Sequence, residues 1–212
     1  MKLGHTRAVA LAGVAGTLVD VEAHIASGLP TIAVSGLPDK ACGQAPDRIR
    51  SAASAAGVAI PTQRIVVNLS PASITKHGSL FDLPIAIAVL AAAGVVRSQV
   101  ATDAVHLGEL GLDGSIRGVR GVLPCVLAAA RAGVEDVVAV NVTGSIDTEL
   151  EPGDLLCLDD FIDFTRSRVG TFHDGSGPEG VVHVDVMQAY HPAIRREILD
   201  AAGQEVAGQQ ID

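Results

Sequence analysis

Residues 83–96 form one continuous apolar run that no charged residue interrupts. Its 14 residues are fewer than the ~20 that an α-helix needs to cross the hydrocarbon core of a bilayer. We therefore predict a helix buried inside the protein. Asp82 precedes the run and Pro84 falls in the first turn. An Asp side chain can accept hydrogen bonds from free first-turn N–H groups, and proline is tolerated there, so Asp82 is predicted to be the structural cap of this helix.

Strand and helix patterns alternate along the rest of the chain. Strands are predicted at residues 5–12, 17–26, 30–35, 63–69, 104–110, 116–119, 136–140 and 155–158. Helices are predicted at residues 38–56, 123–132, 159–169 and 189–202. This interleaving indicates an α/β (α+β sandwich) domain whose sheet is covered mainly on one face. We place this domain at residues 1–168 and a linker at residues 169–180.

Composition and charge limit the partners of the chain. Hydrophobic residues make up 48% and aromatic residues 2%, which argues against modules that stack nucleic-acid bases on aromatic side chains. Residues 1–131 carry a net charge of +3 and residues 132–212 one of −12. Because DNA affinity depends on Lys and Arg, we expect any DNA contact in residues 1–131.

Cysteine and histidine spacings predict neither disulfides nor a metal site. The three cysteines, Cys42, Cys125 and Cys157, are far apart and odd in number, which indicates a reducing, cytoplasmic location. No histidines show the HExxH spacing of a zinc site. The apolar residues 8–19 resemble a secretory signal, but the glycines within them and the alternation that follows favour a strand hairpin and no membrane insertion. The polar residues Asp20, Glu22 and His24 are predicted to line a solvated sheet face, with a catalytic carboxylate cluster as the alternative.

The polar loop at residues 68–82 holds the candidates for nucleophilic chemistry. Ser73 or Ser79 could pair with Lys76 as a Ser–Lys hydrolase. Turn and capping chemistry explains the same residues without catalysis. No lysine follows the glycine pattern of a P-loop, so ATP binding of that kind is not expected.

A set of ordered motifs carries a resemblance to a known family. They are His5-Thr-Arg-Ala, Gly28-Leu-Pro, Gly36-Leu-Pro-Asp39, Asp47-Arg-Ile-Arg-Ser-Ala, Asn68-Leu-Ser-Pro-Ala, Asp82-Leu-Pro-Ile-Ala, Gly108-Glu-Leu and Gly114-Ser-Ile-Arg-Gly118. Together they resemble the N-terminal domain of the Mg-chelatase-like AAA+ ATPases of the YifB/ComM competence type, over residues 4–165. The resemblance implies a fold like ribosomal protein S5 domain 2 and the Lon proteolytic domain.

The same resemblance implies that protease chemistry has been lost. In Lon-type proteases the nucleophilic serine opens the helix that begins here at Asp82, and the lysine of the dyad would fall near Cys125. No lysine follows Lys76. A dyad without its base cannot activate a hydroxyl, so we expect no catalytic residue, no metal and no bound cofactor in this chain.

The family's ATPase module is where the chain departs from its relatives. Residues 181–212 show only a faint likeness to the entry of that module, and no Walker loop precedes Asp212. We expect them to be a remnant of the junction to a missing AAA+ module, partly helical or disordered. ATP and Mg would belong to that module, and the chain would be a truncated or stand-alone form.

These observations favour a non-catalytic module that acts in assembly for DNA processing, such as branch migration in natural transformation. Its expected partners are a second copy of itself, a separately encoded AAA+ ATPase and DNA. Candidate interface or nucleic-acid contacts are Arg48, Arg50, Lys76, Arg117 and Arg120, because basic side chains suit interfaces and phosphates. The alternatives are a Ser–Lys hydrolase and a degenerate remnant without activity.

Overall fold

The computed structural model describes residues 3–141, 143–151, 154–164, 166, 175–178, 180–183 and 185–202. The chain divides into two compact units, Met1–Gly144 and Ser145–Asp212. No helix of the described residues is long and apolar enough to cross a membrane.

The first unit is built on a mixed four-stranded sheet. Its strands are β1 (Leu3–Ala12), β2 (Ala15–Ala26), β3 (Thr31–Ser35) and β4 (Arg64–Ser70), in the spatial order β1-β2-β4-β3. β2 is antiparallel to β1 and β4, whereas β3 and β4 are parallel. A separate hairpin pairs β5 (Glu109–Leu110) with β6 (Ile116–Arg117). The four predicted strands of the main sheet are therefore confirmed, as is the strand hairpin predicted for the N-terminal apolar residues.

Among the described residues of the first unit, five helices accompany these strands. They are α1 (Lys40–Gly43), α2 (Ala45–Ala55), α3 (Asp82–Ala93), α4 (Ser98–Asp103) and α5 (Val122–Arg131). α3 is the predicted buried helix, and Gly94 ends it in a left-handed conformation with φ of 80°. The predicted helix at residues 38–56 is two helices, because the chain breaks at Gln44 before Pro46 begins a new first turn. α4 was not predicted.

Two apolar clusters lie on opposite faces of β1 and β2. Ala8 and Ala10 of β1 belong to the large cluster that contains α3. Val9, on the opposite face, belongs to a small cluster with Cys125 and Ala128 of α5. The large cluster therefore covers one face of the sheet, as predicted, and the small cluster adds α5 on part of the other face at β1 and β2, because alternate side chains of a strand point to opposite sides.

Buried and solvent-accessible residues alternate along β2, as expected where one side of a sheet is solvated. Val21 and Ala23 are buried, whereas Asp20 is exposed and Glu22 and His24 are half-buried. Asp20 contacts His5 at 3.2 Å and Glu22 accepts a hydrogen bond from Asn68 at 3.4 Å. This arrangement supports the predicted solvated sheet face.

Several predicted elements are absent from the described residues. Residues 136–140 form no strand, and Val137, Val138 and Val140 are exposed. The predicted strand at residues 104–110 is reduced to β5, with one bridge between Val105 and Arg7. Residues 155–158 form no strand, and residues 159–164 and 166 are not helical, while residues 165 and 167–169 lie outside the described residues. The local sequence patterns at these places favour a strand or a helix, but the segments do not form the regular backbone hydrogen bonds that such an element needs.

The second unit contains one helix, α6 (Pro192–Ala201), among its described residues. It falls within the helix predicted at residues 189–202. His191 accepts a hydrogen bond from Ile194 N and so caps α6. Arg195 of α6 pairs with Asp159 at 3.3 Å and donates to the carbonyl of Leu158. Most of the predicted linker at residues 169–180 lies outside the described residues.

The contact between β1 and α3 allows no side chain at Gly4. A Cβ there would overlap the carbonyl oxygen of Ala88 and the backbone nitrogen of Ala92. We expect Gly4→Ala to lower the free energy of unfolding by about 1–3 kcal/mol, as overpacking does in other cores. Urea unfolding measures this change. Gly43→Ala is the control, because a Cβ there meets nothing within 4 Å, and equal stability of the two variants would contradict the prediction.

Candidate functional site

The most unusual part of the first unit is a group of polar side chains at the N-terminal end of α3. We call it the Asp82 cluster, and it consists of Asp39, Cys42, Arg48, Lys76, Asp82 and Glu109. Lys76, Asp82 and Cys42 are fully buried. Buried ionisable groups require partners, and those partners define what the cluster can do.

Asp82 and Arg48 form a bidentate ion pair. Nε of Arg48 donates to Oδ2 of Asp82 at 2.6 Å, and Nη2 donates to Oδ1 at 2.8 Å. The backbone nitrogen of Leu110 also donates to Oδ2, at 3.2 Å. Because these donors belong to α2 and β5, one carboxylate joins three elements of the fold.

The prediction that Asp82 caps its helix was wrong. Asp82 is the first residue of α3, and the N-cap position belongs to Phe81. A fully buried carboxylate needs a countercharge more than it needs a helix N–H, and the guanidinium fork of Arg48 satisfies both of its oxygens. Burial raises the pKa of Asp82, while the hydrogen bonds from Arg48 and Leu110 act in the opposite direction. The bond to Asp82 raises the pKa of Arg48, which therefore stays charged.

Lys76 is held through both its backbone and its side chain. Its nitrogen donates to the carbonyl of Leu37 at 3.1 Å, and its carbonyl accepts from the nitrogen of Asp39 at 2.9 Å. The side-chain ammonium donates to the carbonyl of Pro71. Burial lowers the pKa of Lys76. Among the described residues, no carboxylate forms an ion pair with this lysine.

Asp39 joins α1 to the loop before α3. Its carboxylate accepts from the nitrogens of Cys42 at 2.8 Å and Gly78 at 3.1 Å, and it contacts His77 at 3.3 Å. Burial opposes its charge, but these hydrogen bonds together lower the pKa of Asp39. Burial raises the pKa of the Cys42 thiol to about 12. Because the thiolate is the reactive form of cysteine, Cys42 is a poor nucleophile in the folded protein.

Of the two serines proposed for a Ser–Lys hydrolase, one has a different hydrogen-bond partner and the other is exposed. Ser79 donates its hydroxyl hydrogen to Glu109, and Ser73 is exposed. Within the described part of the chain, no hydrogen bond joins Lys76 to either serine. The geometry favours positioning of the loop over activation of a hydroxyl.

The five basic candidates fall into two groups. Arg48 and Lys76 belong to the Asp82 cluster, so their prediction as direct partner or DNA contacts is corrected: one is committed to Asp82 and the other has no exposed surface. Arg117 and Arg120 are exposed, and Arg50 is half-buried. For these three arginines, the role of interface or nucleic-acid contact stays a prediction. No group of metal-ligating side chains occurs in the residues that the structure describes.

Sequence reasoning assigned no role to Asp39, Cys42 or Glu109, although the first and last lie in quoted motifs. Asp39 ends Gly36-Leu-Pro-Asp39, and Glu109 is the centre of Gly108-Glu-Leu. Polar residues within these short motifs were the available signal. Their convergence depends on contacts between elements that are far apart in the chain.

The part of the chain that contains the Asp82 cluster matches a known protein family. Residues 21–142 match the family model described as subunit ChlI of Mg-chelatase. The chain belongs to this family. The matched residues include the whole Asp82 cluster, so the cluster lies in the part of the chain shared with the family.

Two relatives show how much is shared. A protein of Mycobacterium tuberculosis is 45% identical over 138 residues, which are 65% of this chain and 27% of that protein. The competence protein ComM of Haemophilus influenzae is 42% identical over 127 residues, which are 60% of this chain and 25% of that protein. The chain therefore spans about a quarter of the length of these relatives.

A second family resembles the C-terminal part of the chain. Residues 119–209 match the phosphorylase superfamily. The 6-oxopurine nucleoside phosphorylase of Pyrococcus furiosus is 41% identical over 81 residues, which are 36% of this chain and 31% of that enzyme. The two family matches overlap at residues 119–142, which contain α5.

Removal of Arg48 tests the importance of the ion pair. Arg48→Met leaves the Asp82 carboxylate buried without a countercharge, and we expect a loss of about 3–5 kcal/mol in the free energy of unfolding. Adding Asp82→Leu should recover most of this loss, because the double variant buries no unpaired charge. Urea unfolding of both single variants and the double variant gives the coupling energy.

Arg50→Met is the matched control for this experiment. Arg50 lies on the same helix, and its Nη2 atom is buried without a hydrogen-bond partner. The change should therefore cost much less stability than Arg48→Met. If the two arginine variants were equally stable, the ion pair would not have the role that its geometry indicates.

Proposed function

We propose that the first unit is a non-catalytic, Lon-like module of a ComM/YifB-type Mg-chelatase-like ATPase, which acts in assembly during DNA processing. Family membership supports this proposal, as does the matched relative named a competence protein. The observation that carries it is the Arg48–Asp82 ion pair. It occupies the start of the helix where the Lon resemblance expects a nucleophilic serine.

The chemistry of the cluster suits a rigid platform. Asp82 is saturated by Arg48 and Leu110, and the amine of Lys76 is bound to a carbonyl. A general base must be able to reach the proton it removes, and neither group has a free route to a substrate hydroxyl. The same bonds connect α2, α3, β5 and the loop before α3, which favours docking of a partner over catalysis.

The proposed fold relationship is to ribosomal protein S5 domain 2. The mixed sheet and the buried helix α3 beneath it are compatible with that arrangement. In this proposal ATP and Mg are bound by the ATPase module and not by the first unit. DNA contact is assigned to Arg50, Arg117 and Arg120, since these side chains do not belong to the Asp82 cluster.

Reconstitution with an ATPase tests the proposal. The partner is a ComM-type relative from which the region matched by this chain has been deleted. We expect this chain to co-purify with that protein and to increase its ATP hydrolysis in the presence of branched DNA. Arg48→Met should weaken the association because it disrupts the platform, whereas Arg64→Met, at an exposed position on β4, should not.

Two results would overturn the assignment. The first is the absence of both co-purification and a change in ATP hydrolysis with folded wild-type chain. The second is labelling of Ser73 or Ser79 by a serine-directed fluorophosphonate probe, which would favour the hydrolase alternative.

The phosphorylase match favours a second candidate function for the second unit. We propose that this unit binds a purine nucleoside in an open groove of about 500 Å³, lined in part by Asp159, Met187, Tyr190 and Arg195. The volume falls in the range of small-molecule sites. Tyr190 supplies the aromatic wall of the groove, and its ring packs edge-on against Phe161 with ring centroids 6.4 Å apart.

Saturation-transfer NMR with inosine tests this second candidate. Magnetisation should pass from the full chain to the purine protons, and Tyr190→Ala should reduce the transfer several-fold by removing the aromatic wall. Phe164→Ala is the matched control, because Phe164 is exposed and is not part of the groove. No transfer with the wild-type chain, or equal transfer with Tyr190→Ala, would reject the site.

A further inference from the structure

The helix α5 is apolar on both of its faces. Its inner face contributes Cys125, Ala128 and Ala129 to the contact with the sheet. Its outer face leaves Leu123 and Leu127 exposed at 64% and 48%. A surface helix normally presents polar side chains to water, so the outer face of α5 is a candidate contact surface.

A second exposed apolar surface follows α5 closely in the chain. Residues 135–140 form no strand, and Val137, Val138 and Val140 are exposed at 62%, 61% and 64%. Exposed aliphatic side chains that are close together in the chain are candidates for an interaction site. The chain's own fold thus leaves both the outer face of α5 and residues 135–140 uncovered.

The two surfaces have opposite charges around them. Residues 115–134 contain three arginines and no acidic residue, whereas residues 135–144 contain the acidic residues Glu135 and Asp136 and no Lys or Arg. Arg131 lies at the end of α5, a few residues before this acidic pair. Complementary charge at the rim of an apolar contact favours association and fixes its orientation.

We propose that two copies of this chain associate, with residues 135–140 of one copy packed on the outer face of α5 of the other. A two-fold arrangement makes this contact twice, because each copy supplies both surfaces. A second copy is the occupant because it carries the matching apolar area and the matching charge together. This association does not depend on either proposed function.

Light scattering coupled to size exclusion tests the association. We expect the full chain to be a dimer whose dissociation constant rises with salt, because rim charges are screened. Leu123→Ser combined with Leu127→Ser should raise the dissociation constant tenfold or more. Val95→Ser is the matched control, since Val95 is an exposed aliphatic residue elsewhere in the first unit.

A mixing experiment identifies the two surfaces. Arg131→Glu places a second carboxylate opposite Asp136 of the other copy, and Asp136→Arg places a second guanidinium opposite Arg131, so each variant alone should be largely monomeric. Equal mixing restores opposite charges at both contacts and should restore a dimer. Both native residues are exposed, and circular dichroism confirms that both variants remain folded.

Three outcomes would overturn the proposal. They are a monomeric wild-type chain at every soluble concentration, an equal effect of Val95→Ser, or a failure of the two charge variants to assemble when mixed. The last outcome would indicate that the charged residues act within one chain, because an internal contact cannot be repaired by mixing.

Discussion

The buried ion pair between Arg48 and Asp82 is the interaction on which the first unit depends. Burying a carboxylate is unfavourable unless a countercharge and hydrogen bonds compensate for the lost water. Here the countercharge comes from α2 and a further donor from β5. These elements must therefore approach α3 together. The ion pair fixes the orientation of these elements. An apolar interface of alanine and valine side chains alone would not fix it.

Small residues make the rest of this packing possible. Gly4 allows the backbone of β1 to approach α3, and Ala8 and Ala10 continue the same face of the strand. The near absence of aromatic side chains means that layers must lie close together to exclude water. Asp82 is fully buried at the start of α3, so its hydrogen-bond partners come from the protein.

Local patterns predicted the elements whose partners are close in sequence. The alternation in β2 and the apolar composition of α3 were sufficient, because each pattern reports which side of an element is buried. They could not predict the break at Gln44 or the partners of Asp82, since these depend on Arg48 and Leu110. The valines of residues 136–140 have strand propensity without a strand partner, and propensity cannot supply one.

The helix α5, which has two apolar faces, lies in the overlap of the ChlI and phosphorylase matches. Its inner face is already occupied by β1 and β2 through Cys125 and Ala128. A helix that packs against a sheet on one side needs a polar opposite side if it faces water. Leu123 and Leu127 do not provide one, so the composition of α5 is better suited to burial between two layers, the second of which lies outside the sheet of the first unit.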